Sequence, residues 1–157
     1  MESQVEIGLL APHEQGWLLE RSVETGWSQL SPEQQGTVPQ DVVLANARGM
    51  VTHALSMPGS AALVARVSGR PVGYIVVVVV PEDLTARLSG LFLDIWVDPD
   101  YRGQGLASRL TMAGEEHCRS LGLTRVHRVV AAHNTASLEH ARKDGCEVER
   151  YLLVKRL

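Results

Sequence analysis

Phenylalanine occurs once in this 157-residue chain, and tyrosine and tryptophan three times each. Seven aromatic residues cannot supply the row of stacking platforms that single-stranded nucleic acids are read with. No basic stripe compensates. The formal net charge is −3, and the densest cationic cluster is only Arg119, Arg125, Arg128 and the pair Lys155-Arg156. A nucleic-acid partner is therefore not expected. Cysteine is also sparse: Cys118 and Cys146 make no disulfide framework, which fits a reducing compartment. The longest apolar run, Val72 to Pro81, is about ten residues, half of what a bilayer-spanning helix needs. The opening residues Met1-Glu2-Ser3-Gln4 show neither a basic nor an apolar leader segment. The expectation is a cytoplasmic protein with no membrane association and no metal site.

What is present is globular in composition, with 45% hydrophobic and 21% charged residues. The length suits one domain with its own core. No repeat, linker or low-complexity tract divides it, so residues 1–157 read as a single unit. Val5 to Leu10 suits an edge strand. Pro12 to Gln29 and Pro39 to Met57 carry apolar residues near helical spacing, with Pro32 to Gly36 as a break between them. Ala61 to Val67 and Val72 to Val80 flank a Gly-containing turn and predict a hairpin. The unbroken β-branched run Ile75 to Val80 predicts a strand covered on both faces. Leu91 to Val97 is a further strand, with Leu91, Leu93, Ile95 and Val97 expected on one face and Phe92, Asp94 and Trp96 on the other. A helix from Gly105 to Leu121 ends before Gly122. Then follow a strand from Arg125 to Ala132, a short helix capped by Asn134 and ending at Gly145, and a last strand from Val148 to Val154. This order predicts an α/β fold: a mixed, mostly antiparallel sheet with helices on both faces and a parallel strand pair around the Gly105 helix.

The segment Arg102-Gly103-Gln104-Gly105-Leu106-Ala107 lies between a strand and that helix. Free N–H groups and the positive dipole end of the helix favour an anion there, and glycines let the backbone approach it. Arg102 adds a formal charge. A dinucleotide fingerprint would need a third glycine where Ser108 stands, and a P-loop would need a Gly-Lys-Ser/Thr triplet. Neither is found.

Val97-Asp98-Pro99-Asp100-Tyr101-Arg102-Gly103-Gln104-Gly105-Leu106-Ala107 resembles the acetyl-CoA signature of the GNAT N-acetyltransferase superfamily, Gln/Arg-x-x-Gly-x-Gly/Ala after a strand. Asn134, Lys143 and Gly145 match the family's later motif Asn-x-x-Ala-x-x-Leu-Tyr-x-Lys-x-Gly-Phe. Together these cover roughly Ala61 to Cys146, about half the chain. The resemblance implies the GNAT fold with a splayed parallel strand pair. It implies transfer of acetyl from acetyl-CoA to a primary amine by direct attack, the amine belonging to a small molecule or a peptide. A homodimer is open by the same analogy. Ile95, Trp96 and Val97 stand at the positions that pair with the pantetheine arm. Arg102 to Ala107, with Ser108 next in line, would hold the pyrophosphate, and the Asn134 amide would touch the arm. The chain departs from the later motif at Ser137 for Ala, His140 for Leu, Ala141 for Tyr and Cys146 for Phe. Ala141 matters most, because that Tyr is the thiolate's proton donor in many members. The departure keeps a second reading alive, a non-catalytic acyl-CoA-binding or sensing module.

Asp94 leads the candidates for the base, as a carboxylate in mid-strand. It could hold the substrate ammonium, relay protons through water, or pair with Arg128 or another cation. His133, beside Asn134, is the second candidate. Tyr74 and Tyr151 read as packing residues with a polar tip. Trp17, Trp27 and Trp96 read as core or as the apolar wall of an acceptor pocket built from the two early helices. Glu20, Glu24 and Glu33 could attract a cationic amine, or simply be a solvated helix face.

Overall fold

The computed structural model describes residues 4–157; Met1 to Ser3, read above for the lack of a leader, lie outside the described residues. Five strands form one sheet in the order β1-β2-β3-β4-β5: β1 (Val5–Leu9), β2 (Ala61–Val67), β3 (Arg70–Pro81), β4 (Leu88–Val97) and β5 (Val126–Arg128). The first four pair antiparallel and β4 pairs with β5 in parallel. Helices α1 (Gln15–Ser28) and α3 (Gln40–Ser56) cover one face, with α2 (Pro32–Thr37) linking them; α4 (Leu106–Ser120) covers the other. Helix α5 (Thr135–Lys143) lies beyond β5. Among the described residues no helix is long and apolar enough to cross a membrane.

The valine run behaves as its composition demands. Tyr74, Ile75, Val76 and Val77 are wholly buried in β3, because each face of the strand meets helices. Val72, Ile75 and Val77 pack with Leu106 and Leu110 of α4; Tyr74, Val76 and Val78 pack with Leu18 and Val51 of α1 and α3. The α4 C-terminus closes as a Schellman motif: Gly122 takes φ 77°, its N–H donates to Arg119 O, and Leu123 N–H donates to Cys118 O.

Four expectations need correction. Pro32 to Gly36 is not a break but a short helix. Ser31 Oγ accepts from Gln34 N while Gln34 Oε1 accepts from Ser31 N, a reciprocal cap that nucleates the turn. The strand expected from Arg125 to Ala132 spans only Val126–Arg128. The strand expected over Val148 to Val154 is irregular chain. Ion pairs from Glu149 to Arg125 and Arg150 to Asp83 tether it, while Leu152 is 98% exposed and Val154 92%. Strand propensity yields a strand only where a neighbour covers the side chains, and nothing among the described residues covers these.

The fourth correction concerns β4. Val76 lies opposite Asp94, yet Val77 lies opposite Phe92, so Leu93 is an extra residue in β4. This bulge breaks the alternation. Leu91, Leu93, Asp94 and Trp96 turn toward α1, while Phe92, Ile95 and Val97 turn toward α4. Asp94 and Phe92 therefore occupy opposite faces, and Leu91 and Leu93 part from Ile95 and Val97.

Candidate active site

β4 and β5 pair only from Gly90 with Val126 to Phe92 with Arg128. Beyond that point β4 runs on to Val97, still paired with β3 but, among the described residues, with no partner on the β5 side. The sheet thus opens along Leu93 to Val97. Ile95, Trp96 and Val97 lie on this stretch of β4.

At the end of β4 the chain makes a tight corner. Asp98 Oδ1 accepts from Asp100 N at 3.0 Å and starts a 3-10 turn, Pro99–Tyr101. Arg102 Nε donates to Val97 O at 2.9 Å, and Gln104 Nε2 donates to Asp100 O at 3.2 Å. Gly103 and Gly105 take φ of 73° and 75°, values costly for other residues. A Cβ at either would meet nothing within 4 Å, so the backbone there faces open space. Gly105 caps α4 without a side-chain hydrogen bond, which leaves the first-turn N–H groups without a partner among the described residues. Leu106 anchors the turn in the core, and Ala107 and Ser108 are half-buried behind it. The residues from Arg102 to Ser108 thus make an open corner at the start of α4, with the arginine and the positive end of the helix on the same side of the chain turn.

Asp94 sits just inside the opening. It is 9% exposed, and its Oδ2 accepts from Ser22 Oγ and from Tyr74 Oη, each at 2.6 Å. Burial pushes its pKa up; the two hydroxyls and the Ile95 backbone N–H pull the other way without cancelling it. The carboxyl is thus a better proton acceptor than an exposed one. Tyr74, buried beside a carboxylate, has its pKa pushed far up and acts here as a donor. Among the described residues Asp94 has no cationic partner. Arg128, considered for that role, stands on the other face of the sheet over the Phe92 ring.

Around Asp94 the aromatic residues gather. Trp17 meets Tyr74 and Trp96 edge to face at 5.7 and 5.8 Å, and the Arg21 guanidinium lies 5.7 Å over the Trp96 ring. Trp27 is elsewhere, in an open groove of about 430 Å³ between α1 and α3 that it shares with Glu20, Glu24 and Arg48. Arg21 pairs with both glutamates at 3.7 to 3.9 Å, so their charge is partly spent.

His133 Nε2 lies 3.1 Å from Ser28 O, at the C-terminal end of α1. Ser22 and Ser28 are six residues apart, about 9 Å along a helix axis. Asp94 thus attaches to the middle of α1 and His133 to its C-terminal end, and the two do not share a hydrogen bond. Asn134 Oδ1 caps α5 by accepting from Ser137 N at 3.1 Å, and its amide NH2 makes no hydrogen bond among the described residues. Ala141 is 7% exposed, so the position of the family's Tyr is filled by packed methyl rather than by an acid.

Sequence reasoning missed two features. Ser22 gave no signal, because its partner is 72 residues away. The cluster of Arg128, His140, Asp144, Thr111 and Ser108 likewise joins three elements that only folding brings together.

Comparison with known proteins agrees with the geometry. Residues 24–148 match the Acetyltransferase (GNAT) family. No curated protein matches the chain in sequence. Among solved structures, the aminoglycoside N-acetyltransferase AAC(6')-Iy in complex with CoA superposes with a TM-score of 0.74 at 17% identity, covering 100% of this chain and 97% of that one. A ribosomal-protein-alanine N-acetyltransferase from Brucella melitensis biovar Abortus 2308 gives 0.66 at 21%, covering 98% and 100%. A transcriptional regulator from Bacillus halodurans C-125 gives 0.70 at 12%, covering 98% and 100%. At these identities the likenesses establish the fold and leave activity to the site. A splayed parallel pair opening onto an uncapped, glycine-flanked helix, together with a family match over most of its length, places this chain in the GNAT acetyltransferase family.

Proposed function

We propose that the protein is an acetyl-CoA-dependent N-acetyltransferase acting on a primary amine of a small molecule or peptide, as one domain over residues 1–157 in the cytoplasm. The observation that carries this reading is the uncapped start of α4 behind Gly103 and Gly105, set at the mouth of the β4 opening. Acetyl-CoA would lay its pyrophosphate on the N–H groups of Gln104 to Ala107, with Arg102 and Ser108 beside it. Its pantetheine arm would run along Ile95, Trp96 and Val97, and the free Asn134 amide would meet it from the α5 side. CoA and CoA conjugates bound to fold relatives support the choice of co-substrate.

The amine nitrogen attacks the thioester carbonyl carbon, the carbon–sulfur bond breaks, and the amine proton must leave. Asp94 is the base: a buried, uncompensated carboxyl whose raised pKa favours taking that proton, directly or through water. A backbone N–H of the unpaired β4 edge stabilises the oxyanion. Trp17 and Trp96 form the apolar wall against which the amine is desolvated. His133 is the second candidate for the base, placed at the C-terminal end of α1. Ala141 supplies no acid, so the thiolate leaves unassisted by that position.

Two measurements test the reading. Calorimetry should detect acetyl-CoA and neither NAD nor ATP. Thiol release should then appear with some members of an amine panel. Binding without release from any amine would favour the non-catalytic module, which Ala141 keeps open. A homodimer is part of the proposal, since Tyr151, Leu152, Leu153 and Val154 are all more than 80% exposed and a second copy would cover them. Nucleic acid and membrane are not expected partners.

A further inference from the structure

Between α4, β5 and α5 lies a polar cluster that the reaction above does not use. Arg128 is 8% exposed in its side chain. Its Nη2 donates to Thr111 Oγ1 and Asp144 Oδ2, both at 2.9 Å, and its Nη1 lies 3.2 Å from His140 Nδ1. The other ring nitrogen, His140 Nε2, lies 3.4 Å from Ser108 Oγ and 3.4 Å from Asp144 Oδ2. These distances decide the ring's tautomer. Arginine can only donate, so Nδ1 must present a lone pair and Nε2 must carry the hydrogen. Burial pushes the His140 pKa down; Asp144 opposes this, and the charges of Arg128 and Lys143 add to it. The neutral ring is the resident form.

The consequence falls on Ser108. It is the third residue of α4, and its Oγ is available as an acceptor for the His140 N–H. Serine and threonine in a helix commonly turn their hydroxyl back on a carbonyl one turn earlier. Thr111 does so, donating to Ala107 O at 3.0 Å. Ser108 makes no such bond, and its contact with His140 is the one polar contact its side chain has among the described residues. Its hydrogen is therefore unspent, beside the free N–H groups of the same helical turn.

We propose that His140 is a positioning residue for acetyl-CoA binding: it accepts from Arg128, donates to Ser108, and so leaves the Ser108 hydroxyl hydrogen to a phosphate oxygen. This rests on the acetyl-CoA reading above. It also assigns a use to a departure from the family's later motif, where leucine could make neither bond.

The test is a double-mutant cycle on the full chain, read by calorimetric acetyl-CoA affinity. Ser108→Ala should weaken binding about tenfold, the size of one hydrogen bond to a charged group. His140→Leu should weaken it several-fold, and adding it to Ser108→Ala should cost nothing further. His140→Gln offers an acceptor and a donor about one ring apart, and should restore affinity to within about twofold of the parent. Should His140→Leu be misfolded, the glutamine and alanine variants still decide the matter. Additive losses, or a glutamine variant as weak as leucine, would overturn the role of His140 while acetyl-CoA binding by the parent stands. A parent protein that gives no acetyl-CoA heat would overturn the binding reading and this inference with it.

Discussion

Replacing Asp94 by asparagine separates its charge from its shape. The carboxyl is 9% exposed and accepts two hydroxyl hydrogens on Oδ2, so an asparagine oxygen can take both bonds from Ser22 and Tyr74. The variant also weakens the interaction with the Ile95 backbone N–H, which favours the charged carboxylate, at a cost of about 1–3 kcal/mol. Removing a buried charge works the other way. Because the folded pKa of Asp94 is raised, its contribution to stability is fully present below the unfolded value, about 3.9, and is lost as pH rises through the folded value. At neutral pH the parent therefore carries an uncompensated ionisation cost that Asp94→Asn lacks. The two effects oppose each other, and the melting temperature should move by no more than about 4 °C, a shift of roughly 1 kcal/mol in a domain this size. Activity should behave otherwise. Loss of a general base costs about 10²–10⁴ in rate, or roughly 2.7–5.4 kcal/mol of barrier. Thiol release at saturating acetyl-CoA, across pH, reads this directly. The parent should gain activity as pH rises through a limb above the ordinary carboxylate range, and the variant should lack that limb. An asparagine variant that keeps its fold and works within about threefold of the parent would refute Asp94 as the base.

Other expectations follow from the same contacts. Tyr74→Phe and Ser22→Ala each remove a hydroxyl that holds the Asp94 pKa down, so the acidic limb of the rate profile should move to higher pH in both. Gly105→Ala adds a Cβ into open space but keeps φ at 75°; it should cost about 1–2 kcal/mol in chemical denaturation and weaken acetyl-CoA binding through the displaced N–H groups. Gly90→Ala would place its Cβ 2.5 Å from Cys118 Sγ, deep under α4, and should destabilise by about 1–3 kcal/mol; Cys118→Ala in the same chain should recover part of that loss. Leu152→Glu should shift light-scattering mass toward the monomer if a second copy covers the C-terminal segment, with little change in melting temperature of the monomer, since Leu152 packs on nothing in its own chain.

Local chemistry was legible without any fold. The valine run in β3, the glycines at 103 and 105, the Asn134 cap and the Gly122 stop each act through neighbours a few residues away, so the sequence announces them. The corner proposed to hold acyl-CoA belongs to this class, because a strand, a glycine turn and a helix start are contiguous in the chain. What only the tertiary structure decided depends on distant partners. The bulge at Leu93 moves Asp94 to the α1 face because β3 and β4 must keep both hydrophobic faces covered, and no periodicity count reveals a register shift. Ser22 becomes a partner of Asp94 only when α1 lies across the sheet. The C-terminal valines and leucines have the composition of a strand, but a strand is made by its neighbours, and β5 is three residues long. His140 reads as a broken motif position until α4, β5 and α5 close around Arg128 and give both of its ring nitrogens a partner.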